Sequence, residues 1–335
     1  MATGLVVLLL LAGRSPILSQ ESHLLVVVGL GGDPAYRELF HGWAGDLVGA
    51  AEERFGIPRE RIVYLGERPH EAPGVMDDRS TLENVASALA RLAEGAGPSD
   101  RLMIVLVGHG TGQGEKVQFN LPGPDLTPQE LDVMLGAFPT QSIAVVNAAS
   151  SSGPFLPALS GPNRVILTAT RTAQERNETQ FGGYFVEALT GDASDLDKDG
   201  RISLLEAFRY AQREVERYYE TRNLLATEHA QLDDNGDGEG STELGEVAMD
   251  GGLAREFWLE PSPRQLRESA VQDSLADPEL VRLYEERAEL EGRVRELRAL
   301  RGRMEETRYE RELEALLIEL ALKNREIREK GGGGS

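Results

Sequence analysis

Oxygen-bearing side chains recur with regular spacing in one short segment, Asp195–Glu206, whose sequence is DLDKDGRISLLE. A hard divalent cation such as Ca²⁺ takes six to eight oxygen ligands, and this spacing supplies them from one loop. Gly200 stands where such a loop must turn sharply. The sequence therefore predicts a calcium site, with the alternative of a solvated acidic turn that caps the next helix. The predicted ligands are Asp195, Asp197, Asp199, the backbone carbonyl of Arg201, Ser203 and Glu206.

This segment resembles an EF-hand loop, because all the positions of that pattern are filled and helical sequence flanks it. A single loop without a clear partner favours a structural ion over a cooperative sensor. A second acidic stretch, Asp233–Gly240, begins in a similar way. Leu244 stands where its bidentate glutamate would be, so it is at best a degenerate half-site.

A second group of reactive residues follows two apolar runs. His109 and Gly110 come after one run, in LVGHGTGQG, and the turn NAASSSGP (147–154) comes after the next run. Turns at the carboxyl ends of neighbouring parallel strands meet at one edge of the sheet. We therefore expect the His109 imidazole and the Ser150 hydroxyl to share a cleft. The small residues are also consistent with tight turns and nothing more.

These motifs resemble those of the caspase–legumain superfamily, and in particular its bacterial legumain-like members. In that family a His-Gly ends one strand, and the nucleophilic cysteine follows the next strand in an Ala-Cys-x-Ser-Gly motif. His109-Gly110 matches the first motif, and 149–153 matches the second with Ser150 in place of the cysteine. The segment 168–189 is similar to the family's continuation, and the whole resemblance covers 23–219. It implies a caspase-like sheet, peptide-bond hydrolysis, and the Gly110 N–H as a backbone donor to the oxyanion.

The serine at position 150 changes the chemistry that the resemblance implies. The chain contains no cysteine, and a serine hydroxyl needs a base that a third, acidic group orients. No Asp or Glu is evidently placed to orient His109. The sequence favours a pseudoprotease that keeps the site as a peptide-binding relic. The alternatives are a serine-type peptidase or esterase using Ser150 and His109, and a thiol protease inactivated by engineering.

Helical and strand patterns alternate through the first two thirds of the chain, which predicts an α/β fold. The strand runs are continuously apolar, as is typical of a mostly parallel sheet with helices on both faces. Helix, acidic loop and helix follow over 181–219. The predicted strands are 23–30, 61–66, 100–110, 142–148 and 163–170, and the predicted helices between them are 35–56, 80–97 and 127–138.

The rest of the chain divides by composition. We expect one α/β domain over 23–260 that includes an acidic, Gly-rich surface loop or disordered insertion at 229–252. The segment 261–330 predicts a helical hairpin, and 331–335 is typical of an added flexible linker. This hairpin is either an arm for a partner or a second copy, or a pair packed on its own domain. Its predicted apolar stripes are Leu280, Leu283, Leu290, Val294 and Leu297, with Arg287 among them, and Leu313, Leu316, Leu317, Leu320 and Ile327.

The overall charge limits the classes of binding partner, and the first residues indicate the cellular location. The net charge of −21 argues against nucleic-acid or anionic-membrane partners and favours a protein, a peptide or a metal cation. The apolar run in 1–20 is too short to span a bilayer. It favours a secretory signal, and hence a periplasmic or secreted protein, over a buried strand, which would leave the protein in the cytoplasm.

Overall fold

The computed structural model describes residues 20–72, 74–113, 116–198, 201–242, 244, 250–259, 278–299 and 304–331. The predicted signal segment lies outside these residues except for Gln20, and so do Asp199 and Gly200 of the predicted calcium loop. The strands are β1 (Ser22–Val28), β2 (Ile62–Gly66), β3 (Asp78–Arg79), β4 (Arg101–Val107), β5 (Gly110–Gln113), β6 (Lys116–Phe119), β7 (Ser142–Asn147), β8 (Arg164–Thr168) and β9 (Gln231–Asp233). The helices are α1 (Pro34–Glu53), α2 (Leu82–Gly95), α3 (Pro128–Leu135), α4 (Phe155–Leu159), α5 (Phe181–Thr190), α6 (Leu204–Thr221), α7 (Pro278–Ala299) and α8 (Glu306–Gly331).

Within the described residues, seven strands form one sheet in the order β3-β2-β1-β4-β7-β8-β9. Every pairing is parallel except that of β8 with β9. The predicted α/β fold with a mostly parallel sheet is confirmed. A separate antiparallel ribbon of β5 and β6 leaves the carboxyl end of β4.

Both faces of this sheet are buried, as the continuously apolar strands predict. Along β1, Leu24 and Val26 pack into one core with α1, α5 and α6. Their neighbours Leu25 and Val27 point to the opposite face and pack with α2, α3 and α4. Successive side chains of a strand alternate between faces, so a strand covered on both sides must be apolar at every position. The sheet is consequently a rigid platform for the turns at its edge.

Part of the acidic segment, over 229–242, contains regular structure that the composition does not predict. Gln231–Asp233 forms β9, the antiparallel edge strand, and Leu232 is completely buried. The Asp233 carboxylate accepts the backbone N–H groups of Gly236 at 3.0 Å and Gly238 at 3.2 Å. The prediction of a surface loop or a disordered insertion is therefore wrong at 231–233, where Leu232 is buried and the chain pairs with β8.

The last two helices pack on each other through an apolar cluster of Leu290, Val294, Leu297 and Leu316. Leu317, predicted in the apolar stripe, is instead 40% exposed. It lies one position after Leu316, so it points away from that seam. Among the described residues, no helix is both long enough and apolar enough to cross a bilayer.

Candidate functional site

The sheet brings the two predicted catalytic turns together. Strands β4 and β7 are parallel neighbours, with Leu106 opposite Asn147, so both chains leave the sheet at the same edge. The Gly110 N–H donates to the Ser150 Oγ at 3.2 Å, and the Ser150 hydroxyl donates to the Gly110 carbonyl at 3.2 Å. The predicted proximity of the His-Gly turn and the serine turn is thus observed at Gly110.

Gly110 has no room for a side chain. A Cβ on this residue would lie 2.1 Å from the carbonyl oxygen of Ser150. Two residues along the same ribbon, a Cβ on Gly112 would lie 2.7 Å from the carbonyl oxygen of Ala173. Gly110 and Gly112 therefore let the β5–β6 ribbon lie directly against the serine turn.

The serine turn itself is buried and held by hydrogen bonds. Ser150 is 3% exposed, and Ser151 and Ser152 are each 1% exposed. Ser151 has the left-handed φ of 55°, which is uncommon outside glycine. Its N–H donates to the Glu175 carbonyl at 2.8 Å, and its hydroxyl donates to the Ala173 carbonyl at 3.1 Å. These bonds keep the turn in this conformation, and among the described residues the Ser150 hydroxyl is bonded to Gly110 alone.

His109 lies among aromatic side chains of α1. Its ring is 5.0 Å from that of Tyr36 and 5.1 Å from that of Phe40, both edge to face. Among the described residues, no hydrogen bond joins a His109 ring nitrogen to Ser150 or to a carboxylate. The Tyr36 hydroxyl donates to Glu178 at 2.6 Å, and this bond raises the pKa of Tyr36. The Glu178 carboxylate therefore orients the Tyr36 hydroxyl and not the His109 imidazole.

One buried carboxylate near this edge had no sequence signal. Glu228, 3% exposed, accepts the backbone N–H groups of Gln180 at 2.8 Å and Phe181 at 3.1 Å, at the start of α5. Burial raises its pKa. It fastens the segment after β8 to the domain across 48 residues of sequence. No local motif surrounds Glu228 in the sequence, so only the fold identifies it.

The predicted calcium loop gathers three of its carboxylates. One ligand-type oxygen from each of Asp195, Asp197 and Glu206 lies within 4.8 Å of the others. Among the described residues this is the one group of three or more potential metal-binding side chains. The donors are all oxygen, which suits a hard divalent cation.

Glu206 also ties the loop to helix α6. Its carboxylate accepts the Leu196 N–H at 2.9 Å, and the Ser203 N–H at 2.9 Å and hydroxyl at 2.7 Å. Ser203 and Glu206 form a capping box at the start of α6. The acidic turn does cap the next helix, as the alternative to a calcium site predicted. Asp195 and Asp197 lie near the Glu206 carboxylate while it caps α6. Capping of the helix is therefore compatible with binding of a cation by these carboxylates.

The Arg201 side chain contacts Trp258 and the C-terminal helices. Its guanidinium is 3.9 Å from the centre of the Trp258 ring, and its Nη1 is 2.5 Å from the Glu291 Oε1 on α7. Its side chain is 9% exposed. The residue predicted to offer a backbone carbonyl to the ion thus also connects the loop to the C-terminal helices.

No family model matches this chain, and no curated protein matches it either.

Proposed function

We propose that this protein is a caspase/legumain-like pseudoprotease with a calcium-stabilised fold and a C-terminal helical hairpin that binds a partner. A mostly parallel sheet with helices on both faces supports the family resemblance. The placement of Gly110 beside Ser150, on turns after adjacent strands, supports it further. A peptide would bind at this edge of the sheet without being cleaved.

The observation that carries the pseudoprotease proposal is the closed pair between Ser150 and Gly110. The Ser150 hydroxyl donates its proton to the Gly110 carbonyl, and its oxygen occupies the Gly110 N–H. A serine nucleophile instead needs its proton directed at a base, and its oxyanion donor free for substrate. His109 contacts aromatic rings and, among the described residues, no acid that would orient it.

A serine-reactive fluorophosphonate probe tests this proposal directly. We expect no labelling of Ser150 in the pure protein. His109-dependent labelling, present in the wild type and lost in His109→Ala, would establish the serine-hydrolase alternative and overturn the pseudoprotease.

The Ser150→Cys variant tests the hypothesis of an inactivated thiol protease. Because the chain has no other cysteine, alkylation by iodoacetamide reports on position 150 alone. Rapid alkylation that requires His109 would indicate a restored thiolate–imidazole pair. Slow alkylation, equal with and without the imidazole, is what the buried turn leads us to expect.

Calcium is the ion we propose for the 195–206 loop. Asp195, Asp197 and Glu206 would hold it, with the Arg201 carbonyl completing part of an oxygen shell. The ion would neutralise carboxylates that otherwise repel one another within 4.8 Å. Isothermal titration should give one binding site, which Glu206→Gln abolishes.

The helical hairpin is the element we propose for partner binding. Arg293 on α7 pairs with Glu319 on α8 at 3.5 Å, and Glu286 pairs with Lys323 at 2.7 Å. These pairs run in opposite order along the two helices, as an antiparallel hairpin requires. Beyond the seam, Ile318 is 54% exposed and offers apolar surface to a protein partner or a second copy. Ile318→Glu should abolish that association in sedimentation or pull-down experiments.

Export is the location we propose, since millimolar calcium outside the cytoplasm would keep a loop of moderate affinity filled. The N-terminal residues 1–20 carry this proposal. Cell fractionation with and without them tests it: retention in the cytoplasm in both cases would contradict export.

A further inference from the structure

A cavity of about 240 Å³ lies between the α/β domain and the C-terminal helices. Its domain side includes Phe257 and Trp258, and its helix side includes Val294 on α7 and Leu317 and Leu320 on α8. These side chains give the cavity apolar walls on two sides. Because an apolar cavity of about 150 Å³ can hold benzene, this one has room for about ten non-hydrogen atoms.

Two guanidinium groups already lie over the Trp258 ring in the wall of the cavity. Arg201 is 3.9 Å and Arg101 of β4 is 4.5 Å from the ring centre. Arg101 also donates to the Glu256 carbonyl at 2.8 Å, and Arg201 pairs with Glu291 at 2.5 Å. These two cations are engaged within the protein, so the aromatic part of the wall is closed to a second cation or a stacked ring.

Arg255 is the cation that remains available at this cavity. It lines the cavity and is exposed to solvent, so it lies at the opening. Among the described residues, no hydrogen bond or ion pair joins its guanidinium to another group. Leu317 also lines the cavity and is 40% exposed. The opening therefore offers an unpaired cation beside apolar surface, which suits a ligand with an anionic group and an apolar chain.

The acidic side chains of the lining indicate how such a ligand would be oriented. Asp197 and Glu291 both line the cavity. Glu291 is paired with Arg201, but the Asp197 carboxylate lies among those of Asp195 and Glu206. A second negative charge inside the cavity would be repelled by them. The anionic group should therefore stay at the opening, and the apolar chain should enter.

We propose that this cavity binds a medium-chain aliphatic carboxylate of about eight carbons. The carboxylate pairs with the Arg255 guanidinium, whose planar fork matches two carboxylate oxygens. The chain lies along Leu317 and Leu320 and removes their apolar surface from water. This binding requires neither the calcium site nor the serine turn, so it goes beyond the proposed function.

Isothermal titration of the full chain with octanoate tests the proposal. We expect one site with a Kd on the order of 0.1 mM, as is typical of a ligand of this size. Octanol has the same chain without the charge and should bind about fivefold more weakly. Octylammonium should bind more weakly still, because the guanidinium repels it.

Matched variants separate the charge from the apolar wall. Arg255→Gln should weaken octanoate about fivefold and leave octanol unchanged, whereas Arg91→Gln, an exposed arginine on α2, should change neither. Leu317→Ala should weaken octanoate and octanol alike, about fivefold. Leu322→Ala is its control, since Leu322 is 45% exposed on the same helix and does not line the cavity. All four side chains are exposed, so the variants should fold, and circular dichroism checks this.

Three results would each overturn the proposal. The first is the absence of saturable octanoate binding. The second is equal affinity for octanoate and octanol, or an Arg255→Gln variant that binds octanoate like the wild type, since the carboxylate would then not meet Arg255. The third is an equal effect of Leu317→Ala and Leu322→Ala, which would place the chain outside this cavity.

Discussion

Replacing Glu206 by glutamine should separate its observed role as a helix cap from its proposed role as a calcium ligand. Its Oε1 accepts the Leu196 N–H, and its Oε2 accepts two donors of Ser203. Glutamine keeps one oxygen, which can remain with Ser203 and preserve the capping box. The Leu196 N–H then loses its acceptor, which costs about 1 kcal/mol. Relief of repulsion from Asp195 and Asp197 offsets part of that cost.

The effect of calcium on the free energy of unfolding should be larger than this cost. A ligand present at one hundred times its Kd stabilises the native state by about 2.7 kcal/mol. For a domain of this size, 1 kcal/mol corresponds to about 2–4 °C in Tm. The wild type should therefore melt about 5–10 °C higher in calcium than in chelator. Glu206→Gln should melt at most about 4 °C below the wild type in chelator and show no rise in Tm with calcium.

Differential scanning calorimetry of both proteins, with and without calcium, measures these shifts. Glu216→Gln is the matched control, since it removes an exposed acid from the same helix and should respond to calcium like the wild type. If the wild type melts at one temperature in calcium and in chelator, the loop holds no stabilising ion. A calcium response retained in Glu206→Gln would show that this carboxylate is not a ligand.

Three further substitutions test the serine edge of the sheet. Gly110→Ala should lower the free energy of unfolding by about 1–3 kcal/mol in chemical denaturation, because its Cβ would meet the Ser150 carbonyl. Gly42→Ala is the control and should be neutral or stabilising, because Gly42 has open space around it in α1. Equal effects of the two substitutions would contradict the close packing at Gly110. The Ser151→Gly variant should be about 1 kcal/mol more stable than the Ser151→Ala variant. Both variants lose the hydrogen bond of the hydroxyl, and only glycine adopts the positive φ without strain. The reverse order of stability would refute backbone strain at this position. Burial raises the Glu228 pKa above its usual 4.5, so its neutral form favours folding, and that contribution is full below pH 4.5 and lost as pH rises through the folded-state pKa. Urea titrations across pH should show this loss in the wild type and not in Glu228→Gln, and parallel profiles would contradict it.

The sheet and the meeting of its edge turns could be predicted because they depend on local patterns. Continuous apolar runs identify strands buried on both faces, and parallel strands place their carboxyl ends together. The contact between Gly110 and Ser150 follows from that rule across 40 residues. Helix α3 could also be predicted from the sequence, since Thr127 caps it and Pro128 begins it.

The structural features that the sequence did not predict depend on contacts between distant segments of the chain. Strand β9 has three residues, one of them an aspartate, and only its pairing with β8 makes it a strand. Glu228 is one acid among many until the fold buries it against α5. The pair of Arg201 and Glu291 spans 90 residues, and nothing local to either residue indicates it. Sequence patterns show which residues have the chemistry for a site, but not which of them are brought into contact.

If Ser150 is to act as a nucleophile, contacts at the serine turn must first be broken. To attack a substrate, the Ser150 hydroxyl must break its bonds to Gly110, at a cost of about 1–3 kcal/mol. His109 must also leave edge contacts with Tyr36 and Phe40, each of which contributes about 0.5–1.5 kcal/mol. Since 1.4 kcal/mol is a factor of ten in rate, these costs slow a reaction without abolishing it. Loss of the acid that orients the base costs a serine nucleophile about 10⁴-fold, which no rearrangement of the turn restores. Among the described residues, no hydrogen bond joins His109 to a carboxylate, so we expect a variant that only opens the turn to stay inactive.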